Sequence, residues 1–351
     1  MNKLRVHCPL IDLVNDEVKQ IFKPGIENSD KCELVSEQDV PWKGGPYTLW
    51  LRNGGNPADI PADVLLIHGS YGKKDNFREF YNRHPQLPVV MVDYKDHADR
   101  FYGQHELSPE NGVQYFKRSM VNTTEGSIYT YDDDIHVEHA PYCVREDLYS
   151  HMITLDVERD IDVSCFFNPN KTMDMNNTIK HVRSKTQPRG HARGFIADVV
   201  DQMNIEHKHV GTTASVCQNT GRQGIDIDKQ GSMQNIYANL LMRSKIVVTA
   251  CPSNYEGDYR LFEAMSSGTL VMHSRMVQPP YGLVEDEHWV LYDDSQQLKQ
   301  KIEHFVNNPE HAQEIAQNGQ RFCLQHHRPH HRIEQFLRKF LQNNHDNITQ
   351  T

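Results

Sequence analysis

Ser244-Lys-Ile-Val-Val-Thr-Ala-Cys251-Pro-Ser-Asn-Tyr255-Glu256-Gly257-Asp258-Tyr259-Arg260-Leu-Phe-Glu263-Ala-Met-Ser-Ser-Gly268-Thr-Leu-Val-Met272 is the stretch whose reading decides the fold. Ile246 to Ala250 is a short apolar, β-branched run. The residues after it, as far as Gly257, are rich in Pro, Ser, Asn and Gly. Leu261, Phe262 and Met265 then recur at helical spacing until Gly268 ends the pattern. This is strand, loop, short helix, strand, the repeating unit of a parallel α/β sheet. In such sheets ligands sit beyond the carboxyl ends of strands, where helix N-termini offer N–H groups and a positive dipole end to phosphate. Arg260 adds a forked cation there, and Glu263 follows on the same helical face. A carboxylate so placed can accept two sugar hydroxyls while the arginine holds a phosphate, so the stretch reads as a nucleotide site. The alternative is a solvated Arg260–Glu263 pair on a helix surface, worth about 0.2–0.5 kcal/mol.

The run from Glu256 through Gly257, Asp258, Arg260 and Glu263 to Gly268 resembles the donor-binding motif of GT-B glycosyltransferases, where two glutamates precede a small-residue turn. It is most similar to the branch typified by the CgeB/YkvP spore proteins. The similarity continues through Trp289-Val-Leu-Tyr-Asp-Asp294, Leu298, Pro309 and Ile315-Ala-Gln-Asn-Gly319, and so covers the C-terminal part of the chain best. Glu256 and Glu263 enclose six residues, one fewer than the common retaining motif has; Glu263 maps onto its family position and Glu256 does so only loosely.

The resemblance implies two Rossmann-like α/β domains facing one another across a cleft: an N-terminal acceptor domain over 1–150, a C-terminal nucleotide-sugar donor domain over 151–340, and a flexible tail over 341–351. The implied activity is a hexosyl- or pentosyltransferase of glycan biosynthesis. It would move sugar from a UDP- or GDP-sugar to a glycan or other hydroxyl acceptor, with no cofactor besides the donor and no metal. Glu263 would hold the donor ribose and Arg260 the diphosphate. Tyr255, Glu256, Gly257 and Asp258 would approach the transferred sugar, Glu256 as a catalytic candidate.

The 351 residues suffice for about two cores. A formal charge of −10 without a dense Lys/Arg block argues against nucleic acid as the main partner. No run approaches eighteen apolar residues and the first residues lack the apolar core of a signal peptide, so a soluble, cytoplasmic protein is expected. The seven cysteines are scattered and never form C-x-x-C, which disfavours a disulfide framework or a zinc ribbon and predicts buried thiols.

Leu4 to Pro9 reads as a first strand, and Asp16 to Phe22 as a helix ending near Pro24 and Gly25. Asp63-Val-Leu-Leu-Ile-His68 is a continuous apolar run halted by a Gly-rich turn, the pattern of a buried parallel strand. Leu87 to Asp93 repeats it. His68 and Asp93 thus stand at carboxyl ends of strands, where an acceptor or a catalytic base belongs. Tyr115 to Ser119 is taken as a polar segment after a strand, and Ile135 to Val144 as the connection between domains. The second domain opens with the strand Ile161 to Phe167. Arg189 and Arg193 precede an amphipathic helix over 195–203, where either can neutralise diphosphate or lie on the surface.

Two rival functions have their own residues. Asp132 and Asp134, after a strand-like run, are spaced as in the Asp-x-Asp metal sites of GT-A glycosyltransferases, though such triplets also occur in turns. A catalytically silent sugar- or nucleotide-binding protein would keep the donor pocket and lose the acceptor side. His326, His327, His330 and His331 lack a clear third ligand type and straddle Pro329, so a solvated histidine face is expected rather than zinc.

Overall fold

The computed structural model describes residues 3–8, 18–35, 59–68, 88–94, 113–118, 137–166, 193–211, 233–251, 257–276 and 278–346. These form two compact units, one comprising the described residues up to 118, 137–141 and those from 328 onward, the other comprising 142–327.

The first unit is built on β1 (Leu4–His7), β2 (Cys32–Leu34), β3 (Val64–His68), β4 (Val89–Asp93), β5 (Val113–Lys117) and β6 (Val137–His139). Their order is β2-β1-β3-β4-β5-β6, and every neighbouring pair is parallel. β3 and β4 are buried at every position, which is why their sequences are unbroken apolar runs rather than alternating ones. Tyr115 and Lys117, expected to follow a strand, lie within β5. β6 likewise takes three residues from the expected interdomain connection, which narrows to the passage from Pro141 to Tyr142.

The expected helix near Phe22 does not stop at Pro24. A π-helical turn over Val18–Phe22 runs into α1 (Lys23–Glu27), with Pro24 in its first turn, the part of an α-helix where proline is best tolerated. Gly25 is required by close approach, since a Cβ would lie 2.4 Å from Ile333 Cγ1 and 2.6 Å from the Pro329 carbonyl oxygen. Both belong to the final helix, Pro329–Asp346, which is part of this first unit. Phe336 packs on Phe22 and Phe116, Glu334 accepts from Ser29 and Lys31, and Gln335 donates to the His139 carbonyl. The expected division therefore differs at two places: 142–150 lie with the second unit and 328–340 with the first. The helix continues through Asp346 where a tail from 341 was expected.

In the second unit β7 (Ile161–Phe166), β8 (Lys208–Gly211), β9 (Ser244–Thr249), β10 (Leu270–Ser274) and β11 (Val290–Tyr292) form a parallel sheet of order β11-β10-β9-β7-β8. The helices of this unit are α2 (Glu146–Met152), α3 (Arg193–Asp201), α4 (Met233–Arg243), α5 (Tyr259–Ser266), α6 (Ser295–Asn307) and α7 (Pro309–His326), and the final helix of the chain, in the first unit, is α8. Val163, Cys165, Ile246, Val248, Leu270 and Met272 form a core with Ile196 and Val200 of α3, Leu298 and Ile302 of α6, and Ile315 of α7. Both sheets place their second strand on one side of the first and their third strand on the other, so the order reverses between β1 and β3 and between β7 and β9. Such switch points open the ligand crevices of doubly wound sheets.

Arg159 ties down the opposite end of the second sheet. Its guanidinium donates to the Ser244 and Ser267 carbonyls and, at 3.0 Å, to Thr269 Oγ1, joining the starts of β9 and β10 to the end of α5. Cys8, Cys32, Cys143, Cys165, Cys251 and Cys323 are buried as expected; Cys217 lies outside the described residues. No described helix is long and apolar enough to cross a membrane.

Candidate functional site

The site is assembled where β9 ends beside the switch point. Gly257 has φ +81°, a left-handed conformation that admits glycine at little cost, and turns the chain into α5. Asp258 then caps that helix: Oδ1 accepts from the Leu261 N–H at 3.1 Å, and Oδ2 accepts from Thr249 Oγ1 at 3.3 Å. The Gly-Asp pair thus fixes the helix start against the end of β9. Gly268, φ +79°, ends the helix, where a Cβ would press within 3.1 Å of Gln320 and 3.2 Å of Arg159.

Every residue of α5 from Leu261 to Ser266 is buried. α7 covers it closely: a Cβ on Gly319 would lie 2.2 Å from the His288 carbonyl oxygen and 3.5 Å from Met265 Cγ, so glycine is needed there. Glu263 is accordingly a buried carboxylate rather than part of a solvated pair with Arg260, the alternative raised by spacing. Its Oε1 accepts from Arg145 Nη1 at 3.0 Å and its Oε2 from the Tyr237 hydroxyl at 2.8 Å. Arg145 also donates to Asp147 at 2.9 Å. Burial opposes its charge, but the Glu263 and Asp147 carboxylates raise its pKa above the usual arginine value. Burial, reinforced by the Glu263 charge, lifts the Tyr237 hydroxyl well above the ordinary tyrosine value, so it remains a donor. Arg260 lies one turn before Glu263, with Nη1 3.6 Å from Asp258 Oδ2. Burial works against its charge too, yet Tyr237, Asp258 and Glu263 raise its pKa.

The segment before α2 reaches α5 at two points one turn apart. Tyr142 stacks on Tyr259, ring centroids 3.7 Å apart, and Arg145 meets Glu263. A backbone bond from Val144 N–H to the His327 carbonyl, 2.9 Å, holds this segment in place. Phe166, the last residue of β7, packs edge-on against the Tyr237 ring at 5.2 Å.

Of the residues expected from sequence, Gly257, Asp258, Arg260 and Glu263 come together here. Arg193 opens α3. Tyr255, Glu256, Arg189, Asp132 and Asp134 lie outside the described residues. His68 and Asp93 stand in the first unit at the ends of β3 and β4, both buried. The His68 ring stacks with Tyr94 at 6.5 Å, and Asp93 accepts from the Tyr115 hydroxyl at 2.6 Å and Lys117 Nζ at 2.9 Å. Sequence reasoning missed Arg145 and Tyr237. Tyr237 reads as one more apolar position of an amphipathic helix and Arg145 as an isolated charge, so no local spacing marked either. Among the described residues no cluster of His, Cys, Asp and Glu has the makings of a metal site; this includes the His326–His331 group.

Residues 218–338 match a family model described as glycosyl transferase-like, a span that contains α4, α5 and the Arg260–Glu263 pair. No curated protein matches. Sucrose-phosphate synthase from Thermosynechococcus elongatus has a similar fold, with TM-score 0.53 at 11% identity over 100% of both chains. HepE from Anabaena, solved in complex with UDP and glucose, gives TM-score 0.50 at 11% identity over 97% of this chain and 99% of its own. At that identity the likeness is one of fold: the chain has the two Rossmann-like, parallel-sheet α/β domains of the GT-B class.

Proposed function

We propose that this protein is a glycosyltransferase that takes its sugar from a nucleotide-diphosphate sugar held by the second unit. One observation carries the reading: a buried carboxylate, Glu263, and a cation, Arg260, stand one turn apart on a capped helix at the carboxyl end of β9, beside the switch point. The match of residues 218–338 to a glycosyl transferase-like model supports it, as does the fold shared with HepE, whose structure contains UDP and glucose. A CgeB/YkvP-like transferase is the finer form of the same reading.

In this mechanism Glu263 accepts the ribose hydroxyls. Arg260 and the N–H groups opening α5 meet the diphosphate, whose negative charge grows as the sugar leaves. Arg189 and Arg193 are the further candidates for that charge, and no divalent metal is required. Tyr255, Glu256, Gly257 and Asp258 are the candidates to approach the transferred sugar, Glu256 as a catalytic candidate. Asp258 already spends both oxygens on the cap and on Thr249, so its part is to shape the loop. The acceptor, a glycan or other hydroxyl compound, falls to the first unit. There His68 and Asp93 are the candidates to meet the acceptor or act as base, and the Asp93 carboxylate already accepts from Lys117 and Tyr115.

The test is a thermal-shift screen of UDP, GDP, ADP and CMP followed by transfer or hydrolysis assays with the labelled sugar of the best nucleotide. Ligands that bind only the folded state raise its midpoint by mass action. A shift with turnover supports a transferase, a shift without turnover a binding protein, and no shift with any nucleotide removes the reading.

A further inference from the structure

We infer that Arg145 and Tyr237 are positioning residues for sugar recognition, setting the Glu263 carboxylate so that it reads the ribose 2′,3′-diol and rejects a deoxyribose; this rests on the donor-site reading above. An ionised carboxylate offers about four acceptor positions on its two oxygens. One position on Oε1 is filled by Arg145 Nη1 at 3.0 Å and one on Oε2 by the Tyr237 hydroxyl at 2.8 Å. Each oxygen keeps one more, which is the number a vicinal diol needs. With both oxygens tethered, the carboxylate plane cannot rotate, and a diol meets two acceptors already oriented.

The tethers are themselves fixed. Arg145 spans Glu263 and Asp147, and its chain neighbours are held by the Tyr142–Tyr259 stack and the Val144–His327 backbone bond. Tyr237 is seated by the edge-on contact with Phe166. The Glu263 side chain is only 7% exposed, so a ligand has little choice of approach. A deoxyribose presented to so enclosed a carboxylate leaves one acceptor position unfilled, which costs affinity.

The experiment is calorimetric titration of the full chain with UDP, 2′-deoxy-UDP, GDP and 2′-deoxy-GDP. The proteins compared are wild type, Arg145→Met, Arg145→Lys, Tyr237→Phe and Glu263→Ala, with thermal midpoints recorded to establish that each variant is folded. Wild type should prefer the ribonucleotide on the order of tenfold, as expected for a hydrogen bond to a charged group. Tyr237→Phe and Arg145→Met should bring that ratio close to one, and Arg145→Lys should keep part of it. A merely structural role would weaken ribo- and deoxynucleotides alike and leave the ratio standing. If Glu263→Ala abolishes the preference while Tyr237→Phe and Arg145→Met retain it, the positioning role is wrong and the donor site stands. If wild type binds a ribonucleotide no better than its deoxy form, this inference fails while the nucleotide site stands; if it binds none of the four, nor ADP or CMP, the donor-site reading fails and this inference with it.

Discussion

Asp93 and Lys117 are partners in the parallel register of β4 and β5, and their side chains meet at 2.9 Å with neither exposed to solvent. A strand-end aspartate that looked like a catalytic candidate is thus half of a buried ion pair. The Asp93 carboxylate also accepts from the Tyr115 hydroxyl, on the same strand as Lys117.

Removing one member of such a pair deprives a buried charge of its counter-charge, at a typical cost of about 3–5 kcal/mol. Asp93→Asn and Lys117→Met should each lower unfolding stability by that order, and the double variant should recover much of the loss. Denaturant titration of the three proteins measures this, with transfer assayed per folded molecule. A stable Asp93→Asn protein with no transfer would instead restore Asp93 as the catalytic base.

Buried histidines make stability depend on pH. Burial lowers the pKa of His7 and of His209 to about 4, and burial together with the Arg332 charge lowers that of His139 to about 3. An unfolded histidine titrates near 6.5. Between about pH 4 and 6.5 the unfolded chain binds protons that the folded chain refuses, so stability falls as pH drops through that window. Each such histidine contributes a slope of up to about 1.4 kcal/mol per pH unit. In urea unfolding at pH 7, 6 and 5, His209→Leu should show the smaller slope by roughly that amount. An unchanged slope would mean that His209 accepts its proton in the folded state.

Gly268→Ala should cost about 1–2 kcal/mol, because φ +79° is strained for alanine and the new Cβ presses on Gln320 and Arg159. An alanine variant with wild-type denaturant midpoint would show that this turn relaxes without loss.

Donor binding and transfer should persist in EDTA, with Arg260 and the α5 N-terminus meeting the diphosphate charge. Asp132→Ala should leave donor affinity within a few-fold. Activity lost to EDTA and restored by Mn²⁺, or a hundredfold affinity loss in Asp132→Ala, about 2.7 kcal/mol, would favour the metal-dependent rival.

Local pattern and tertiary pairing were not equally legible. β9, α5 and β10 were readable because β-branched residues, a Gly-Asp turn and helical spacing each act over a few positions, and Gly268 ends α5 as its sequence suggested. β3 and β4 announced themselves by being apolar throughout. The final helix was assigned to the other half because periodicity reveals an apolar face without naming the sheet it covers, and Phe336 packs on Phe116. Arg145 was invisible for a related reason: it meets Glu263 across 118 positions of chain, and only the folded second unit brings them together. Asp93 was placed correctly at a strand end, while the register that sets it beside Lys117 was not readable from either strand alone.

Glu263 carries the donor-site reading, and its variants test it most directly. If the carboxylate accepts ribose hydroxyls, Glu263→Gln keeps the shape and one acceptor oxygen but loses charge assistance, and Glu263→Ala loses both. Donor affinity should fall in the order wild type, Gln, Ala, the alanine change costing about 1.5–3 kcal/mol. Stability should fall as well, since Arg145 and Tyr237 both donate to this carboxylate. A partly buried guanidinium that keeps Asp147 as a second acceptor loses less than an isolated one, so about 1–3 kcal/mol is expected. The two effects separate by measurement: calorimetry with the best nucleotide gives affinity, and denaturant unfolding without nucleotide gives stability. A Glu263→Ala protein that is less stable yet binds nucleotide with wild-type affinity would make the carboxylate a structural tether for the Arg145 segment, and the nucleotide would have to be sought elsewhere.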